Sequence, residues 1–517
     1  MATAKENKII LSEEELRSKI LEGATAVHDA VSTTYGPRGM NYLLEKGFGR
    51  PILTRDGVTV ARDVFFSDRA KNMGAQLVIE ASESANLIAG DGSSATIVVT
   101  YNLIKNAIRA IAAGTHPMDI RDIFNKDNNT IQEALLKMKV DVKDEQLIDV
   151  ATVSSGDPLI GQLIAEAILY VGADGGILTE KALIDEVERE YIDGYFLQSG
   201  FTAIQAGKKE LSDPHVIVAE KRLTSGADAI DILTGIAKTT GMQPGQISRI
   251  LFIGNIEDAA YNTIIENVNR GLIDAIIIKT PPMFGEMGKQ LLQDIAIYAG
   301  CSVITDGTNV KTFDGKFIGH VDKVTASKSE ATLFADNQTE PVRDRVQELK
   351  DQIEVESIDS ISEKLRDRVS KLEGKVAIFR IGGATDTAKE ELEFRIEDAI
   401  NSTRHAYEDG IVPGGGVTLI ELSKLDISDM FKGALRDTFK KLISNANYSP
   451  DVKLNEIMSA PKGMGYNLRV DDKLVDVVKD GVIDAYVTVR EIIKNSVSSA
   501  GNAITVGGAS LFEDKKE

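Results

Sequence analysis

Residues 90–99 read GDGSSATIVV: an aspartate between two glycines, two hydroxyl residues, and then an unbroken apolar and β-branched run. The two halves ask for different surroundings. Glycine lets backbone N–H groups approach an anion closely, and Ser93 or Ser94 stands where a helix cap is expected. The run ATIVV then reads as the buried first turns of that helix, whose amino-terminal field favours negative charge at the turn. Taken alone, the stretch reads first as an ordinary capped helix start.

Outward from it, residues 12–34 and 68–113 carry helical periodicity rich in Ala, Ile and Leu, interrupted by the turns YGPRG (35–39) and TRDGVT (54–59). They predict a mostly helical domain with a hairpin, and Asp56-Gly57 in ILTRDGVTV is the hairpin signal. From about 187 to 373 β-rich runs such as HVIVA, RILFIGN, AIIIKT and SVIT alternate with helical stretches, the texture of an α/β domain. Its last part places Val342, Val346, Leu349 and Ile353 on one helical stripe and Ile361, Leu365, Val369 and Leu372 on another. These predict two antiparallel helices packed on each other, or two helices each packed on the neighbouring sheet. From about 385 the helical texture returns, broken by IVPGGGVTLI, so the first and last portions are expected to form one domain around the inserted α/β segment.

A chain of 517 residues exceeds one ordinary core, and a prior of about 150 residues per domain gives about three domains. The 59 Lys and Arg against 79 Asp and Glu, a net charge of −20, argue against duplex nucleic-acid binding by phosphate neutralisation. The single cysteine, Cys301, can form neither an internal disulfide nor a thiolate zinc cluster, and it reads as a buried small hydrophobe in a reducing compartment. The amino terminus has the order of neither a secretory signal nor a transit peptide, and no apolar run of about 18 residues occurs. A cytoplasmic protein without a membrane span is expected.

Four glycine-bearing loops could cradle phosphate: 35–39, 55–57, 90–94 and 413–416. No GxxxxGK[ST] and no strand followed by GxGxxG accompanies them, so neither a P-loop nor a dinucleotide site is indicated. Five His, no HExxH and one Cys leave zinc and Cys/His nucleophile chemistry unsupported. The carboxylates Asp56, Asp91, Asp398 and Asp484 remain. A carboxylate beside a phosphate loop makes sense with a divalent cation between them, and another could orient a water toward a γ-phosphate.

Several long motifs, in order, resemble the GroEL-type (group I) chaperonins: TTYGPRGMNYLLEKGFGRPILTRDGVTVARDV, KNMGAQLV with GDGSS following, AAGTHPMD, LLQDIA, RIEDAINSTRHAYEDGIVPGGGVTLIE and GYN at 465–467. The likeness spans nearly the whole chain, weakest at 120–250 and 420–460, and the chain is identified as a divergent member. The resemblance implies a multi-domain α and α/β fold: a mostly helical equatorial domain from 1–136 and 409–517, a small α/β intermediate domain from 137–186 and 374–408, and an α/β apical domain from 187–373. It also implies an ATPase that folds non-native client proteins inside seven-membered rings, single or double, under a separate GroES-type lid. The lid is expected as a separate chain because the segment between Lys238 and Ile256 has no room for a helical protrusion.

Carried over by position, Thr34, Tyr35, Gly36 and Pro37 would wrap the phosphates of ATP, and Gly92, Ser93 and Ser94 would add contacts. Asp91 would hold Mg²⁺. Gly415 and Asn467 would border the purine and Asp484 the ribose. Asp398 would swing over the site to complete Mg²⁺ and water positioning, with Asp56 assisting. A potassium ion is implied near residue 55. Tyr195, Phe196 and Phe201, with Ile230, Leu233, Tyr261 and Ile265, would form the apolar client-binding face, although periodicity alone reads them as core. Residues 41–53 resemble the hairpin that pairs with a neighbouring subunit.

The chain departs from that pattern at named positions. Arg55 replaces a lysine, and its fixed fork would handle phosphate or the monovalent ion differently. Ala95 replaces the third hydroxyl of the phosphate loop. Glu266 stands where an apolar client contact is usual, predicting a more polar or narrower client range, and Arg189 and Lys375 occupy hinge positions usually held by glycine. Two rival readings follow: a ring-forming protein scaffold with weak ATPase and no productive folding, and a small-molecule phosphotransferase, for which the apical segment offers no acceptor pocket or base.

Overall fold

The computed structural model describes residues 8–45, 51–172, 175–182, 184, 186–197, 199–200, 209–241, 248–279, 286–328, 330–335, 339–355 and 359–512. It divides into two compact units: one from the residues up to 168, 181–187 and those from 381 onward, the other from 169–180 and 188–380.

The first unit is mostly helical. Helices Glu13–Val31, Arg69–Ala89, Ser93–Ala112, Pro117–Met138 and Tyr486–Thr505 pack around one apolar core. Their alanines and β-branched residues recur at helical spacing, so each helix offers a stripe that water excludes. The chain ends meet directly, strand Lys8–Leu11 pairing antiparallel with Ala509–Phe512. Helix Ser93–Ala112 is buried through its first turns, with Ile97, Val98 and Val99 fully inaccessible. A hairpin forms over the stretch 41–53 that the resemblance marked as one, and not at the Asp56-Gly57 signal. Strands Tyr42–Leu44 and Ile52–Thr54 pair with each other, and Asp56-Gly57 is no hairpin turn. Asp56 instead caps helix Gly57–Asp63, its carboxylate accepting from the N–H of Val58 at 3.2 Å and of Thr59 at 2.7 Å. An aspartate that finds two free helical amides prefers them to a turn.

The second unit is α/β. Its central sheet has the order 273–278, 248–256, 215–223, 319–320, with the first three strands parallel and the last antiparallel. Helices Gly226–Thr240 and Asp258–Asn269 share one apolar core with residues of this sheet, and Glu286–Ala299 shares another. Helices Glu340–Val355 and Asp359–Glu373 pack on each other, and Val342, Leu349, Leu365, Val369 and Leu372 also close the core beside Glu286–Ala299. The first alternative, two helices packed on each other, is therefore realised, and both also rest on helix Glu286–Ala299. Asp294, fully buried, is held by Arg345 at 2.8 Å and Arg368 at 2.6 Å, the pairing that a buried carboxylate requires. Cys301 is half-buried and its thiol is pushed up to about 12 by burial, which makes it inert.

The positions read as altered hinges lie against an aromatic pair. The rings of Tyr170 and Tyr191 are 4.1 Å apart, with Arg189 over the second and Lys375 over the first. Among the described residues no helix is long and apolar enough to cross a membrane.

Candidate nucleotide site

The first unit contains a cavity of about 530 Å³ whose wall includes Thr34, Tyr35, Gly36, Pro37, Arg55, Asp56, Asp91, Gly92, Ser93, Ser94, Ala95, Asp398, Gly415, Asn467 and Asp484. Residues up to 450 positions apart in sequence thus line one space, of the size that encloses a small organic ligand.

Two elements set its floor. Gly92, at φ +89°, turns the chain into helix Ser93–Ala112 in a left-handed conformation that a side chain would oppose. Gly57 begins the helix capped by Asp56, and a Cβ there would stand 2.4 Å from Ser94 Oγ and 2.9 Å from Ser93 Oγ. Glycine at 57 therefore lets the two helix starts meet. Thr34 Oγ1 lies 3.2 Å from Ser94 Oγ, which ties the 34–38 turn to the same corner. Ala95 belongs to the cavity wall and to the apolar core at once, so the missing hydroxyl is replaced by packing.

Electrostatics divide the wall. Asp91 accepts from its neighbour Gly92 N–H at 2.5 Å and from Ser154 Oγ at 2.9 Å. Burial nevertheless raises its pKa, and the charge of Asp56 adds to this. Burial also pushes Asp398 well above the carboxylate range, followed by the charges of Asp91, Asp56 and Glu397. Asp484 is raised to about 7 by burial and then by Asp91. Carboxylates that repel one another in a desolvated site are what a hard cation stabilises. Three guanidiniums line the same cavity. Arg55 donates to the Gly36 carbonyl at 3.2 Å, Arg395 to the Ser155 carbonyl at 2.9 Å, and Arg469 to the Val153 carbonyl at 3.0 Å.

Sequence reasoning missed the residues that hold these parts together. Asn445 donates 2.8 Å bonds to the carbonyls of Ser32 and Tyr35, and Arg38 donates to those of Leu468 at 2.9 Å and Arg469 at 3.0 Å. Arg395 stands inside the quoted RIEDAI motif and Arg469 two places after Asn467, whereas Asn445 lies where the motifs are weakest and carries no local signal. Asn467 is not free, since its amide donates to Asp480 at 2.7 Å.

The client-binding expectation needs correction. Tyr195 is 0% and Phe196 2% exposed, because strand Tyr195–Leu197 is covered on both faces: Tyr195 packs in the core with Tyr298, and Phe196 packs with Leu178, Val376 and Ile378. Tyr261 is buried too, and Leu233 and Ile265 are half-buried against the core of the same sheet. The stripes on these two helices face mostly inward, where a parallel sheet supplies apolar cover. Ile230, 54% exposed, is the member that faces solvent. Phe201 lies outside the described residues.

A model of the TCP-1/cpn60 chaperonin family matches residues 27–249 and 282–507, which include all of the glycine loops and the four carboxylates around the cavity. The chain belongs to the TCP-1/cpn60 chaperonin family. Among solved structures, the chain is similar to the chaperonin gp146 from the bacteriophage EL 2 (Pseudomonas aeruginosa), crystallised in the presence of ATP-BeFx. One crystal form matches with a TM-score of 0.73 at 21% identity, covering 98% of this chain and 100% of the phage chain. A second form matches with a TM-score of 0.63, also at 21% identity, covering 98% and 99%. At that identity the likeness concerns the fold, which is a divergent GroEL-like one.

Proposed function

We propose that this chaperonin is an ATP-driven folding subunit that binds nucleotide in the cavity of its first unit, captures non-native protein on its second, and works as a seven-membered ring with a separate lid. The domain boundaries expected from the resemblance belong to the same proposal. The observation that carries it is the lining of the cavity: a buried helix start with glycine approach beside repelling carboxylates and guanidiniums.

The residues present fit both groups. The amides at Gly92–Ser94 and the helix field behind them would receive phosphate oxygens. Asp91 and Asp398 are hard oxygen donors brought together in a buried site, so they would hold Mg²⁺, which would supply charge neutralisation between carboxylate and phosphate. Asp398 would orient the attacking water, and Asp56, already committed to capping, would hold the helix start in place. Tyr35, whose phenol is held protonated by burial, would pack beside the nucleotide. Arg55, whose charge is disfavoured by burial, would alter how the site handles phosphate or a potassium ion. The test is Mg²⁺-dependent phosphate release from ATP, coupled to refolding of an aggregation-prone client with and without a lid protein.

A second reading, a ring scaffold that binds proteins without productive folding, draws on the buried Tyr195, Phe196 and Tyr261 and on Glu266, exposed and paired with Arg270. Client capture without ATP-dependent recovery of client activity selects it.

A further inference from the structure

Arg55, Arg395 and Arg469 line the same cavity but are unequally neutralised. Arg395 pairs with Glu391 at 2.9 Å. Among the described residues, Arg55 and Arg469 have no carboxylate within ion-pair distance, and each donates only to a backbone carbonyl. The two guanidiniums of Arg395 and Arg469 converge on one point: a Cβ on Gly156 would stand 3.3 Å from Arg395 Nη1 and 3.8 Å from Arg469 Nη2. Arg38 binds the carbonyls of Leu468 and Arg469, which docks the loop carrying Arg469 on the turn that contains Tyr35, Gly36 and Pro37. Burial and mutual repulsion both disfavour the charge on Arg469, so the ligand-free site holds positive charge at a cost. Two largely buried guanidiniums that feel Glu391 and Asp157 only beyond ion-pair distance, in a cavity, are complementary to a polyanion, which planar forks bind bidentately.

We propose that Arg469, with Arg55 and Arg395, forms a polyphosphate subsite that reads the number of phosphates on the ligand. The inference rests on the nucleotide reading of this cavity and deepens it: Arg469 is a specificity-determining residue that favours a nucleoside triphosphate over the diphosphate. The shared chemistry is the linear polyphosphate chain, which a nucleotide or a free inorganic polyphosphate can supply. A site recognising the base alone would be indifferent to that chain.

The experiment measures calorimetric affinity of the full-length assembled protein for inorganic tripolyphosphate, ATP, ADP and adenosine, in wild type, Arg469→Gln and Arg469→Lys. The melting temperature of each ligand-free variant is recorded alongside. The wild type is expected to bind tripolyphosphate. Arg469→Gln is expected to keep its ligand-free melting temperature and to lose about 10- to 100-fold in affinity for tripolyphosphate and ATP, the worth of one charge-assisted contact, with a smaller loss for ADP. Arg469→Lys should recover part of the loss. Equal tripolyphosphate affinity in wild type and Arg469→Gln, or none in wild type, overturns the subsite. Absence of ATP binding in a wild type that takes tripolyphosphate overturns the nucleotide reading instead and assigns the subsite to free polyphosphate.

Discussion

Replacing Asp484 by Asn tests the electrostatic account of the cavity. Asp484 lies on strand Ile483–Ala485, opposite Val412, and burial followed by the charge of Asp91 raises its carboxyl from 3.8 to about 7. Between those values the ligand-free fold keeps a proton that the unfolded chain has released. The sign follows: this stabilising contribution is complete below about pH 4, is lost as pH rises through about 7, and changes little beyond. The difference between the two values corresponds to roughly 4 kcal/mol. Asn keeps the shape and cannot titrate, so Asp484→Asn should match the wild type near pH 4 and exceed its stability by up to about 4 kcal/mol near pH 8. Asp91 and Asp398 remain in both proteins, and because Asp91 and Asp484 repel each other the difference reports Asp484 together with its coupling to Asp91. The assay is urea unfolding of chelator-treated, nucleotide-free protein across this range, followed by circular dichroism because the chain has no Trp. A constant offset between the two curves at all pH values would refute the reasoning.

Asp398→Ala is expected to retain nucleotide binding and to lose most turnover, at least about 100-fold, because water orientation is lost while the phosphate loop is untouched; wild-type turnover in a steady-state phosphate-release assay removes Asp398 from that role. Gly57→Ala places a methyl 2.4 Å from Ser94 Oγ, so it should cost about 1–3 kcal/mol in thermal unfolding and weaken nucleotide binding, whereas unchanged binding would mean the two helix starts need not meet. Asn445→Ala leaves the Tyr35 carbonyl without its donor and the Ser32 carbonyl with only the Tyr35 N–H at 3.4 Å, and should lower stability by about 1–3 kcal/mol, with looser nucleotide binding measured by calorimetry. Glu266→Val should broaden client capture in an aggregation-suppression assay, since it removes an exposed charge from the helix that follows Ile256; unaltered capture rules Glu266 out of client contact.

The sequence by itself determined the helices, the inserted α/β segment and the identity of the loops around the cavity, because these depend on periods of two and 3.6 residues and on glycines whose need for space is local. GDGSSATIVV is a charged turn followed by buried helix, as its composition requires. What the tertiary structure alone decided are properties that depend on which surfaces meet. Asp56-Gly57 carries a hairpin signal, but helix amides lay within reach and took the carboxylate. Tyr195 and Phe196 have the spacing of either a surface or a core, and only the packing of Tyr298 and of Val376 and Ile378 placed them inside. The repulsion of Asp91 against Asp398 and against Asp484, and the convergence of Arg395 and Arg469 on Gly156, join residues hundreds of positions apart. No local pattern encodes them, because desolvation and charge proximity exist only once the chain has closed around the cavity.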